Sequence, residues 1–126
     1  MRTETTKIAR TCIVGFIAGT VSYLYVWLTP RASNLILWLA LCALAGFVTF
    51  LISDTKMVIA LTSVVTGAFS LNLAHIVVDA AIDPTSHNLF PFELAFTLLL
   101  TAAGAAMGVG LAILAKHLIG NGRISQ

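Results

Sequence analysis

Apolar residues fall in four unbroken runs, at about 8–28, 35–53, 57–82 and 92–115, instead of alternating with polar ones. Each run holds close to the roughly 20 residues that carry a helix across a ~30 Å hydrocarbon core. A strand would show period-two alternation, and a chain this short cannot close a transmembrane barrel. The pattern therefore predicts four transmembrane helices. Arg10 is the only Lys or Arg within those limits, near enough to one end for its head group to reach the interface.

The breaks between runs have turn chemistry. Pro30 ends the first run, and Ser33 or Asn34 can cap the second. Ser53, Asp54 and Thr55 offer an N-cap to the third. Asp83 precedes Pro84 and is biased away from helical backbone, while Pro91 suits the first turn of the fourth helix. Gly120-Asn121-Gly122 reads as a helix stop. Connections this short imply an up-down-up-down antiparallel bundle, a single all-α domain spanning 1–126.

Orientation follows from the placement of Lys and Arg. With the N-terminus inside, Arg2, Lys7, Arg10, Lys56, Lys116 and Arg123 lie on the cytoplasmic side and only Arg31 lies opposite. This predicts a multi-pass protein of an inner or plasma membrane with both termini cytoplasmic. The first run reads as an anchor, not a cleaved leader: it is long for a leader's apolar core, and no Ala-x-Ala site follows it.

Composition agrees and narrows the function classes. Of 126 residues, 59% are hydrophobic and 10% charged, with a mean hydropathy of +0.99. A soluble domain carries about 25% charged residues to cover its surface, so this surface must face lipid. The net charge of +2 is spread over segment ends; the basic stripe that nucleic acid requires is missing. Phosphate-binding glycine loops, Cys-x-x-Cys, His-Glu-x-x-His and Gly-x-Ser-x-Gly are also missing, so no cofactor is indicated and an enzyme is disfavoured. Cys12 and Cys42 lie at different expected depths and read as packing residues, not a disulfide.

Helices in lipid associate through small residues, because the hydrocarbon offers no hydrophobic drive. The first helix presents Cys12, Gly15, Gly19 and Ser22 on one face. The fourth presents Thr97, Thr101, Gly104, Gly108, Ala112 and Ala115, and a second small strip, Ala102, Ala106 and Gly110, on the other side. Gly15, Gly19, Gly104 and Gly108 are the expected packing positions. Leucine or isoleucine at Gly104 or Gly108 should disturb the fold, and alanine should be mild. Tyr23, Tyr25, Trp27 and Trp38 suggest an interfacial aromatic belt.

One constellation could carry chemistry. Asn72, His75, Asp79 and Asp83 follow at spacings of three, four and four, within about 80° of a helical face. His87 and Asn88 lie in the next loop, and Glu93 opens the fourth helix. Ionisable groups at membrane depth are costly and mark functional sites by default. His75, Asp79, Asp83 and Glu93 form a candidate cation or proton site, with His75, Asp79 and Glu93 meeting in the bundle mouth and Asp83 nearer solvent. The competing readings are a solvated acidic rim and a packing and hydrogen-bond network. Thr62, Thr66 and Ser70 point about 150° away and should satisfy themselves on their own backbone. Two classes result: a non-catalytic self-assembling or accessory membrane component, with a homo-oligomer or larger complex and the lipid bilayer as partners, and a cation- or proton-coupled channel, carrier or metal-binding protein.

Overall fold

The computed structural model describes residues 2–29, 35–53, 55–85 and 90–122. Arg31, Ser33, Asn34, Asp54, His87, Asn88 and Arg123 lie outside the described residues. The described residues form four helices: α1 (Arg2–Leu28), α2 (Leu35–Ser53), α3 (Met57–Ile82) and α4 (Phe90–Gly122). All four are long and apolar enough to cross a membrane, and the fold is an all-α membrane bundle.

Two helices exceed the apolar runs that announce them. α1 starts at Arg2 and not near residue 8, supported by an i,i+3 contact of 3.7 Å between Lys7 and Glu4. α4 runs on through Gly120 to Gly122, where a stop was expected. Glycine in a helix costs only about 1 kcal/mol, so it need not end one. Polar residues beyond the lipid can remain helical, but they carry no hydropathy signal.

Capping of α3 also differs from the sequence expectation. Its N-cap is Lys56, extended at φ −61° and ψ 137°, with no side-chain cap bond. Thr55 instead meets Thr11 of α1, hydroxyl to hydroxyl, at 3.0 Å. At the other end Asp83 leaves the helical region (φ −135°, ψ 99°), as the residue before a proline should, and its N–H donates to the Asp79 carbonyl at 2.7 Å.

The contacts fix the topology. Along α1 and α3, Thr11 meets Thr55, Gly15 meets Ser63 and Tyr23 meets Asn72, so these helices run parallel. Along α2 and α4, Trp38 meets Phe96, Ala43 meets Gly108 and Phe50 meets Lys116, again parallel. Ser22 reaches Leu41 of α2, and Asn72 reaches Thr97 of α4, closing the antiparallel seams. Lys7, Arg10, Lys56 and Lys116 share one end, here the basic end; Asp79, Asp83 and Glu93 share the other, the acidic end.

The tightest contacts join helices two apart in sequence. A Cβ placed on Gly19 would strike the Val64 carbonyl, and one on Gly67 the Phe16 carbonyl, so α1 and α3 touch backbone to backbone. The same holds for α2 and α4 at Gly46 against Ala105 and at Gly108 against Ala43. Gly104 is filled from the side, with Cys42 Cβ at 2.6 Å and the Leu39 carbonyl oxygen at 2.9 Å. Alanine at Gly104 or Gly108 therefore cannot be mild, because its methyl would meet the opposing helix. Short loops set the antiparallel order, but small-residue surfaces decide which helices lie closest.

Between the two pairs sits a small core of Ala45, Val64 and Ala105, flanked by Ala18 and Leu61. Large apolar side chains point outward, such as Ile36, Val77, Leu99 and Leu118, as a lipid-facing surface requires. Thr62 and Thr66 are exposed and donate to the Val58 and Thr62 carbonyls at 2.8 and 2.7 Å. Their hydroxyls are thereby satisfied on their own helix.

Candidate functional site

A chain of polar side chains enters the bundle from the acidic end. Asp79 Oδ2 lies 2.9 Å from His75 Nε2, one helical turn away on α3. His75 Nδ1 lies 3.3 Å from the Tyr23 hydroxyl of α1. Tyr23 donates to Asn72 Oδ1 at 2.6 Å, and Asn72 Nδ2 donates to Thr97 Oγ1 of α4 at 2.7 Å. Five residues on three helices thus link the bundle mouth to its interior. Burial rises along the chain: the Asp79 side chain is 37% exposed and that of His75 19%, while Asn72 is fully buried.

Aromatic rings wall this chain. The Trp27 ring packs edge-on to His75 with centroids 5.0 Å apart, and Tyr23 meets Trp38 at 6.2 Å. Trp38 in turn meets Phe96 at 6.3 Å. Tyr25 and Trp27 remain half exposed, consistent with an interfacial belt, but Tyr23 is only 8% exposed. It turns inward because it continues the face of Gly15 and Gly19 at spacings of four. That spacing is the signal that could have separated it from the belt.

Tyr23 has a single proton, which the 2.6 Å bond assigns to Asn72, and His75 Nδ1 stands at the longer distance of 3.3 Å from the same hydroxyl.

His75 and Asp79 come together. Asp83 is exposed and accepts from the Thr85 N–H at 3.0 Å and the Thr85 hydroxyl at 2.7 Å, closing a turn at the end of α3. The hydroxyl first, and then the N–H, hold its carboxyl below the usual aspartate value. Glu93 stands in the first turn of α4, beside a shallow apolar hollow formed with Phe92, Phe96 and Leu99. No group of three or more His, Cys, Asp or Glu side chains able to hold a metal occurs among the described residues. His87 lies outside them.

Beyond Asn72 and Thr97 the interior is built of small residues, with Ala68, Val64, Ala60, Ala105, Val109 and Ala112 fully buried and the hydroxyl-bearing Thr101, Ser63, Thr49 and Thr11 buried among them. The buried Cys42 thiol lies beside Trp38 and Thr101. Compared with family models, curated proteins and solved structures, the chain finds no match in any of the three.

Proposed function

We propose that this chain is a non-catalytic, self-assembling component of a cell membrane, with both termini cytoplasmic. The observation that carries the reading is the uncovered second small face of α4. Gly104 and Gly108 are filled by α2, whereas half-buried Ala102 and exposed Ala106 and Gly110 form a small-xxx-small strip with nothing within 4 Å of a Cβ at Gly110. Strips of this kind let helices in lipid approach closely. The cytoplasmic assignment rests on Lys7, Arg10, Lys56 and Lys116 at one end of the bundle.

The test is the native mass in mild detergent, combined with crosslinking of an Ala106→Cys variant in a background lacking Cys12 and Cys42. Wild type should give a homo-oligomer, Ala106→Cys should crosslink to itself, and Gly110→Leu should shift the mass to the monomer. A monomeric wild type that fails to crosslink at position 106 overturns the reading.

A second reading is favoured by the chain of polar side chains that runs from the acidic end into the interior: a proton-linked carrier or channel that loads at the Asp79–His75–Tyr23 chain. Proteoliposomes with an internal pH dye separate the two. Proton flux abolished by His75→Ala would support the carrier, and its absence in folded wild type would remove it.

A further inference from the structure

We infer that the seam between α1 and α2 is a binding site for an anionic diacyl phospholipid. α1 turns its glycine face to α3 and α2 turns its own to α4, which leaves their common seam open. A groove of about 440 Å³ runs there, with Ala18, Ser22 and Ala45 among its small residues and Ile17, Val21 and Leu44 among its bulky ones. The Ser22 hydroxyl donates to the Ala18 carbonyl at 2.8 Å and lies 3.4 Å from that of Leu41. The Ser22 hydroxyl is thereby committed to backbone, and the otherwise apolar walls suit hydrocarbon. From Val14 to Tyr25 it follows α1 for about 16 Å at 1.5 Å per residue.

The groove leads to positive charge. Thr3, Lys7, Arg10, Val14, Ile17, Val21 and Tyr25 lie on one stripe of α1, within about 80° of arc. Thr3, Lys7 and Arg10 line a second hollow on that stripe at the basic end. Arg10 is one turn, about 6 Å, from the mouth of the groove. α1 is 27 residues long, about 40 Å, against a hydrocarbon core of ~30 Å. Its first turns therefore lie at head-group level, where Lys7 and Arg10 can meet a phosphate while an acyl chain lies in the groove. Glu4, 3.7 Å from Lys7, offsets part of that charge and leaves Arg10 as the principal contact.

Charge also selects the occupant. A second copy inserted with the same orientation would bring its own Lys7 and Arg10 against these, and like charges in juxtaposition oppose association. An anionic head group has the complementary sign. Juxtamembrane basic residues contribute about 1 kcal/mol each toward anionic lipid, roughly fivefold in affinity.

The experiment is native mass spectrometry of the full chain from mild detergent, after adding phosphatidylglycerol or phosphatidylcholine with identical acyl chains. One phosphatidylglycerol per chain should be retained in preference to phosphatidylcholine. Arg10→Gln should weaken retention roughly fivefold, Lys7→Gln by less, and Ala18→Phe, which fills the groove, should abolish it. Should Ala18→Phe fail to fold, the two charge variants decide the matter. Equal retention of the two lipids, unchanged binding by both charge variants, or glycerol phosphate bound as tightly as the whole lipid would overturn the proposal. So would a dimer mass lost on Ala18→Phe, which would assign the groove to a second copy.

Discussion

Gly108→Ala and Gly110→Ala, two residues apart on one helix, should change stability in opposite directions. At Gly108 the new methyl lands on the Ala43 carbonyl oxygen, 2.7 Å from the carbonyl carbon and 2.8 Å from the Phe47 nitrogen. Restoring an ordinary 3.4 Å to that carbon alone needs 0.7 Å of retreat. The obstacle is backbone, so no rotamer can yield and α2 must move away from α4. Overpacking of this kind costs 1–3 kcal/mol, and a rigid obstacle points to about 3. The helical preference of alanine over glycine returns about 1 kcal/mol, leaving a net loss of about 2. At Gly110 no atom of the same chain lies within 4 Å, and a methyl there matches the alanines of the Ala102–Ala106 strip, so within the chain only the gain of about 1 kcal/mol remains. The variants should differ by about 3 kcal/mol, roughly a hundredfold in the folded-to-unfolded ratio. Titration from mild detergent into dodecyl sulfate measures this by tryptophan fluorescence, since Trp38 of α2 packs edge-on to Phe96 of α4 and reports their separation. Gly108→Ala within about 0.5 kcal/mol of Gly110→Ala would refute the backbone contact.

Three further outcomes follow from the same geometry. Tyr23→Phe removes the donor to fully buried Asn72 and should cost about 1–3 kcal/mol in the same titration; Tyr25→Phe, at an exposed position, should cost close to nothing. Thr85→Val deletes the stronger of the two bonds to the Asp83 carboxylate, so its depressed pKa should rise toward the ordinary value in a carboxyl NMR titration. A carboxyl whose folded pKa is lowered adds stability above its unfolded pKa and loses it as pH falls through the folded value; the variant should therefore lose the contribution this turn makes above that pKa and fall less in stability on acidification. Thr85→Cys and Gly120→Cys, each in a background lacking Cys12 and Cys42, should react with a membrane-impermeant thiol reagent from opposite sides, Thr85→Cys from outside intact cells. Labelling of both from the same side would contradict the bundle.

The helices were legible because a lipid core imposes a length and a composition that few other structures share. Their ends were less so: Arg2–Lys7 and residues 116–122 are helical without an apolar signature. Gly15, Gly19, Gly104 and Gly108 announce themselves by repeats of four, but Gly46 and Gly67 stand alone in the sequence. Their importance lies in the opposing carbonyls of Ala105 and Phe16, which no single-helix pattern contains. At the acidic end, helical spacing alone joins His75 to Asp79. It cannot find Thr97, whose role depends on α4 meeting Asn72 across the bundle, nor the local turn in which Thr85 holds Asp83.

The pairing of α1 with α3 and of α2 with α4 has a consequence for biogenesis. During synthesis the N-terminal hairpin enters the bilayer before its complement exists, with Gly15, Gly19 and Gly46 lined by lipid where Ser63, Val64 and Ala105 will later sit. Neither hairpin is a finished unit, since each glycine groove is filled by the other half of the chain. The grooves do not distinguish a chain's own C-terminal hairpin from that of a neighbour. Crowded insertion therefore permits reciprocal exchange of hairpins between chains, and the short connection between α2 and α3 sets how far such halves can reach.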